Sequence, residues 1–138
     1  MNIYLDASVV LRMLLKDPSR IRGWEPQDTK VASVLLEVEC LRTLDSLRLR
    51  GVLGEAEVDR DRESLVELLR ATDIIEVSPP ILRRASEPLT VPLRTLDAIH
   101  LASALVWCEA NGEKVTMATH DAELARAARS KGLEVIGV

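Results

Sequence analysis

Phenylalanine is absent from this 138-residue sequence, tyrosine occurs once and tryptophan twice. A core without aromatic bulk has to be filled by aliphatic side chains, and 47% of the residues are hydrophobic, most of them Leu, Val and Ala. That composition suits helices packed on a sheet, and the length suits one globular domain, 1–138, rather than two. Cysteine is equally scarce. Cys40 and Cys108 lie far apart in segments that read as helices, with no CxxC or Cys/His spacing, so they read as reduced thiols and not as zinc ligands. No stretch approaches the roughly 18 uncharged apolar residues of a membrane-spanning helix. The start, MNIYLDASVV, has no basic segment leading into an apolar run and cleavage site. A soluble, cytoplasmic protein is expected, without internal repeats, low-complexity tracts or linkers.

The formal net charge is −4, which at first argues against a nucleic-acid partner, because phosphate binding is usually signalled by a basic surface. The basic residues are 14 Arg against 4 Lys, a choice that suits bidentate contacts to phosphate or carboxylate but that a GC-rich genome also produces.

Along the chain, 2–6 (NIYLD) reads as a short strand ending in Asp, followed by a helix through SVVLRMLLKD that stops at Pro18. Ser33 can cap a helix over 34–50, ended by Gly51, and 55–71 continues as the second arm of a helical hairpin. DIIEV at 73–77 reads as a strand, ILRRA as a short helix and SEPLTVPLR as a loop. A strong helix begins near Leu96 and runs to Gly112, then KVTMAT is a strand, DAELARAARSKG a helix and LEVIGV a final strand. This alternation predicts an α/β fold with a central parallel sheet of about four to five strands flanked by helices.

In such sheets, functional groups gather beyond the carboxyl ends of the strands. Asp6 and Asp121 stand at two of these ends, although each also precedes a helix and would serve as its N-cap. Asp97 shares a helix face with Leu101, Ala104, Leu105 and Cys108. A carboxylate on so apolar a face needs a cation, a metal or a helix N-terminus as partner. On the helix over 34–50, a wheel centres the apolar stripe on Val31, Val34, Leu35, Val38 and Leu41. Glu37 and Glu39 fall on opposite flanks, and periodicity does not choose between them. Arg42, one turn from Glu39, makes a semi-buried Glu39–Arg42 pair the expectation. Clustered carboxylates repel one another unless protonated or bridged by divalent cations, and oxygen-only ligands favour Mg²⁺ or Mn²⁺ over zinc.

In order and spacing, these residues resemble the PIN-domain ribonucleases, and among them the VapC-type toxins, over essentially the whole chain. The resemblance rests on YLDASV with Asp6 and Ser8, on Ser33, Glu39 and Arg42 in an SxxxxxExxR setting, on TLDAIHLASA at 95–104 with Asp97, and on Thr119 and Asp121. The TLDAIHLASA segment is the most specific of these. The resemblance selects Glu39 over Glu37. It implies a toxin endoribonuclease of a type II toxin–antitoxin system that cleaves RNA phosphodiester bonds with water activated at Mg²⁺ or Mn²⁺. The ion would be held by Asp6, Asp97 and Asp121, with Glu39 acting directly or through water, and with Ser8, Thr119 and Arg42 in support. It further implies a VapB-like antitoxin as partner and a homodimer. The charged segment near 52–72 fits the family pattern least well. His100 and His120 are secondary candidates for touching substrate, and Arg42, Arg83, Arg84 and Arg94 for touching phosphate.

Discounting the four site acids, which account for the whole net charge of −4, the remainder is neutral, and the charge objection to RNA weakens. Other families that pair a strand-terminal Asp with an α/β fold fit less well. A haloacid-dehalogenase-type phosphatase needs an Asp where Ser8 stands, and a phosphoacceptor receiver domain needs a Lys where Thr119 stands. A PIN-fold nuclease of RNA processing, or a catalytically silent PIN-fold binding module, is the remaining alternative.

Overall fold

The first strand, β1 (Asn2–Leu5), turns Ile3 and Leu5 to one face of the sheet and Tyr4 to the other, and all three are fully buried. A strand that must be apolar on both faces lies in the middle of a sheet covered on both sides. The computed structural model, which describes all 138 residues, bears this out. In chain order the remaining elements are α1 (Ala7–Leu14), β2 (Thr29–Ser33), α2 (Leu35–Leu49), α3 (Glu55–Arg70), β3 (Thr72–Ile75), α4 (Pro79–Ala85), α5 (Thr95–Asn111), β4 (Thr116–Ala118), α6 (Ala122–Ser130) and β5 (Glu134–Ile136).

The five strands are all parallel, in the order β3-β2-β1-β4-β5. From β1 the chain winds outward on one side to β2 and β3, then crosses back to place β4 on the other side of β1. The order therefore reverses at β1, and the crevice between the carboxyl ends of β1 and β4 is where a parallel sheet leaves room for a site. Ile3, Leu5 and Ala32 pack with α1, α2 and α3 on one face, while Tyr4, Val31 and Met117 pack with α5 and α6 on the other. No helix is long and apolar enough to cross a membrane.

The structure corrects the sequence reading around residue 33. Thr29–Ser33 is a strand, hydrogen-bonded between β1 and β3, so Val31 belongs to the sheet and not to a helical stripe. Ser33 still accepts a hydrogen bond from the Leu35 amide (3.1 Å) at the start of the helix. With Val31 removed, the buried face of α2 is Leu36, Cys40 and Leu44, whereas Val34 and Val38 are exposed at 37% and 49%. The apolar run VASVLL misleads because a short strand and the first turn of a helix follow each other without a turn residue between them. The charged segment 52–72 forms α3, most of whose charge is solvated. Its inner stripe is Val58, Asp61 and Leu65, and Asp61 lies buried with one carboxylate oxygen lacking a hydrogen-bond partner.

Candidate active site

Asp6 follows the last residue of β1, and its amide donates to the Ala118 carbonyl of β4 (3.1 Å), which locks it at the seam where the strand order reverses. Its Oδ2 accepts from the Ser8 hydroxyl (2.5 Å), the Thr119 hydroxyl (2.8 Å) and, more distantly, the Ser8 amide (3.4 Å) that it caps. Each hydroxyl has one proton and directs it at Asp6. In exchange, Ser8 Oγ accepts from the His120 amide (2.9 Å) and Thr119 Oγ1 from the Asp121 amide (3.0 Å). The network thus ties the ends of β1 and β4 to the start of α6. Asp121 caps α6 through Oδ1, which accepts from the amides of Glu123 (2.8 Å) and Leu124 (3.0 Å). For both residues capping and site roles coexist, because each role uses a different oxygen: Oδ1 of Asp6 and Oδ2 of Asp121 accept nothing from the protein.

Asp97 stands half-buried in the first turn of α5 without a hydrogen-bonded side-chain partner. Burial raises its carboxyl above the ordinary carboxylate range, and the negative charges of Asp121 and Asp6 raise it further, against weaker opposition from His100 and Arg94. The repulsion shows that these acids share one field. Glu39 reaches the same cleft from α2, its Oε1 held by His100 Nε2 at 2.5 Å while Oε2 remains free. Glu37 is exposed on the other flank of the helix. Glu39, Asp97 and Asp121, with Leu93, Arg94, Thr95 and Leu96, line an open cleft of about 590 Å³; Asp6, 5% exposed, does not line it, though its charge acts on Asp97.

The sequence that folds into this five-stranded parallel sheet matches a known family. The PIN domain model aligns with residues 3–130. The chain belongs to the PIN domain family. Ribonuclease VapC46 of Mycobacterium tuberculosis is 30% identical over 137 residues, covering 97% of this chain and 95% of that protein. Ribonuclease VapC47 of the same species is 27% identical over 132 residues, covering 94% and 92%. Among solved structures, the crystal structure of VapBC2 from Rickettsia felis bound to a DNA fragment from its promoter superposes with a TM-score of 0.64, covering 98% of this chain and 97% of that one. At 14% identity, the last comparison speaks for the fold alone.

Within this PIN domain, three expectations about individual side chains need correction. Arg42 does not pair with Glu39. It is 68% exposed and binds Asp45 (3.1 Å), because three residues along α2 a carboxylate is within easier reach. Glu39 pairs instead with His100, which is fully buried and so does not touch substrate. Burial disfavours a charged imidazole, but the hydrogen bond and charge of Glu39, with Asp6 and Asp97 behind it, outweigh this and hold His100 above its usual range. Of the four candidate arginines, Arg94 alone lines the cleft, while Arg84 is engaged with Glu109 (2.9 Å) and Glu87 (3.5 Å). Sequence reasoning also missed Tyr4, whose hydroxyl lies 2.8 Å from His100 Nδ1. The lone tyrosine of an otherwise aliphatic strand, two residues before Asp6, was the available signal.

The donor set fits a hard divalent cation in its chemistry: three carboxylates each keep one oxygen free of protein hydrogen bonds and a fourth, Asp97, keeps both. As the side chains stand, no three His, Cys, Asp or Glu residues are gathered closely enough to hold a metal ion.

Proposed function

We propose that this chain is a toxin-type endoribonuclease that hydrolyses RNA phosphodiester bonds with Mg²⁺ or Mn²⁺ held by Asp6, Asp97, Asp121 and Glu39, and that a VapB-like antitoxin restrains it. The observation that carries the reading is that Glu39, Asp97 and Asp121 line one cleft, with the charge of Asp6 at the reversal point of the sheet felt at Asp97, on a chain aligned along nearly its whole length with ribonucleases. Asp6, fixed through Oδ2, offers Oδ1. Asp121, fixed through Oδ1, offers Oδ2, and Glu39 offers Oε2. A divalent cation bound among them supplies the Lewis acidity that activates water and offsets charge on the phosphoryl oxygens. Ser8 and Thr119 are orienting groups rather than nucleophiles, since their protons are committed to Asp6 and no imidazole is placed to remove them. Arg94, at the cleft wall, offers its guanidinium to phosphate and places the RNA backbone over the acids.

The antitoxin part of the reading is supported by apolar side chains left uncovered along one side of α2, Val38 and, one turn before it at the helix N-cap, Val34, of the kind an amphipathic partner segment covers. We also infer a homodimer, supported by exposed Leu82 on α4 and Leu96 on α5. The deciding experiment for the activity is RNA cleavage by protein purified free of any inhibitor. Cleavage is expected with Mg²⁺ or Mn²⁺ and not in excess chelator. Full cleavage in chelator, on RNA shown free of contaminating nuclease, overturns the metal mechanism.

A further inference from the structure

We propose that His100 is a positioning residue that aims the Glu39 carboxylate into the cleft, with Tyr4 fixing the imidazole in turn. Glu39 sits on the flank of α2 at the end of a flexible side chain, and nothing on its own helix holds the carboxylate. The structure supplies a two-step tether. His100 Nε2 donates to Glu39 Oε1 (2.5 Å), since an ionised carboxylate only accepts, and His100 Nδ1 bonds the Tyr4 hydroxyl at 2.8 Å. The Tyr4 and His100 rings also meet edge-on, with centroids 5.9 Å apart and planes at 76°, so the imidazole is held at both nitrogens and by its neighbour's ring. Both side chains have no solvent exposure.

The tether joins three elements that carry or directly precede three of the acids. Tyr4 lies in β1 two residues before Asp6, His100 lies in α5 three residues after Asp97, and Glu39 lies in α2. Through it the positions of Asp6, Asp97 and Glu39 are set in one frame, as Thr119 sets Asp121 to Asp6. Because His100 occupies Oε1, Glu39 faces a cation through Oε2 alone. A buried phenol–imidazole–carboxylate chain is expensive to desolvate, and aliphatic side chains filling the same space serve stability at least as well. The arrangement is explained by orientation, the usual role of groups that hold a metal-binding side chain from behind.

The inference rests on the proposed metal site, and its test separates the two. Asparagine and glutamine at position 100 each keep one half of the tether: Gln places an amide nitrogen where Nε2 lies, and Asn places its amide near Nδ1. Mn²⁺ affinity is measured by calorimetry without RNA on wild type, His100→Gln, His100→Asn and Asp97→Asn, with thermal melting on each and kcat and KM on RNA. The expected result is that His100→Asn loses about 10–100-fold in Mn²⁺ affinity and falls in kcat with little change in KM, while His100→Gln stays near wild type and the two melt alike. Equal Mn²⁺ affinities in the Asn and Gln variants make His100 a fold residue and overturn the inference, even with the metal reading intact. Wild type and Asp97→Asn binding Mn²⁺ alike, or not at all, removes the metal reading itself and the inference with it. If neither position-100 variant folds, Tyr4→Phe, which removes one oxygen, decides: weakened Mn²⁺ binding in a stable protein supports the tether, and wild-type binding overturns it.

Discussion

Asp97 stands in surroundings that disfavour ionisation, since burial and the charges of Asp121 and Asp6 all raise its carboxyl. A carboxyl raised in the folded chain contributes stability below its unfolded range and removes it as pH rises through the folded value. Without a cation, Asp97→Asn is therefore expected to melt at the same temperature as wild type or higher at neutral pH. Its RNA cleavage is expected to fall by at least the ~10–100-fold that follows loss of a group merely supporting a metal ligand. Thermal melting in chelator beside a cleavage assay checks both, and a marked drop in melting temperature makes Asp97 a structural residue. Gly137 is a residue-scale constraint of another kind. Its φ is +104°, and a Cβ there would lie 2.4 Å from the Thr119 carbonyl oxygen, so backbone must move to admit any side chain. Gly137→Ala is expected to lose about 1–3 kcal/mol in denaturant unfolding, and to lower activity by disturbing Thr119, which holds Asp6. Unchanged stability would mean that the C-terminal segment after β5 yields freely.

At the scale of elements, α2 has three jobs on three sides. Leu36, Cys40 and Leu44 anchor it in the core, Glu39 looks into the cleft, and Val34 and Val38 face outward. Leu36→Ala is expected to destabilise by about 2–5 kcal/mol, the usual range for an emptied leucine site. Val38→Ala should stay within about 0.5 kcal/mol, as surface substitutions do, while Val38→Asp weakens antitoxin binding and leaves RNA cleavage by the free protein intact. Denaturant melts and a binding titration measure these. A large loss of stability in Val38→Ala, or undiminished antitoxin binding in Val38→Asp, contradicts the assignment of that face. The phase of this helix was not legible in the sequence, because the strand before it supplied apolar residues in a continuous run. The existence of α2, α3, α5 and α6 was legible, because their apolar spacing and end signals agree over nine to 17 residues each.

For the whole molecule, the proposed endoribonuclease activity in an open cleft calls for restraint in the cell that makes it. Co-expression with the product of a neighbouring antitoxin gene is expected to yield a stable complex without ribonuclease activity, and expression alone to yield little protein. A basic antitoxin side chain placed among the four carboxylates would compete with the cation and reverse the local charge. Size measurement and an RNA assay on the co-purified material test this. A stable, active monomer indifferent to the neighbouring protein removes both the antitoxin and the homodimer from the account.

The three candidate aspartates could be singled out in the sequence because their settings are local: a strand-terminal Asp before a helix, TLDAIHLASA, and Thr119 two residues ahead of Asp121, whereas only the resemblance chose Glu39 over Glu37. So was the parallel α/β class, since alternating strand and helix periods are written into neighbouring residues. Only the tertiary structure decided the partners. Whether Glu39 met Arg42 one turn along its own helix or His100 sixty-one residues away depended on how α2 and α5 pack across β1 and β2, and so did the link from His100 to Tyr4. Local spacing carries the identity of a charged group, whereas what lies opposite it is set by packing between elements distant in the chain, which periodicity within one element does not record.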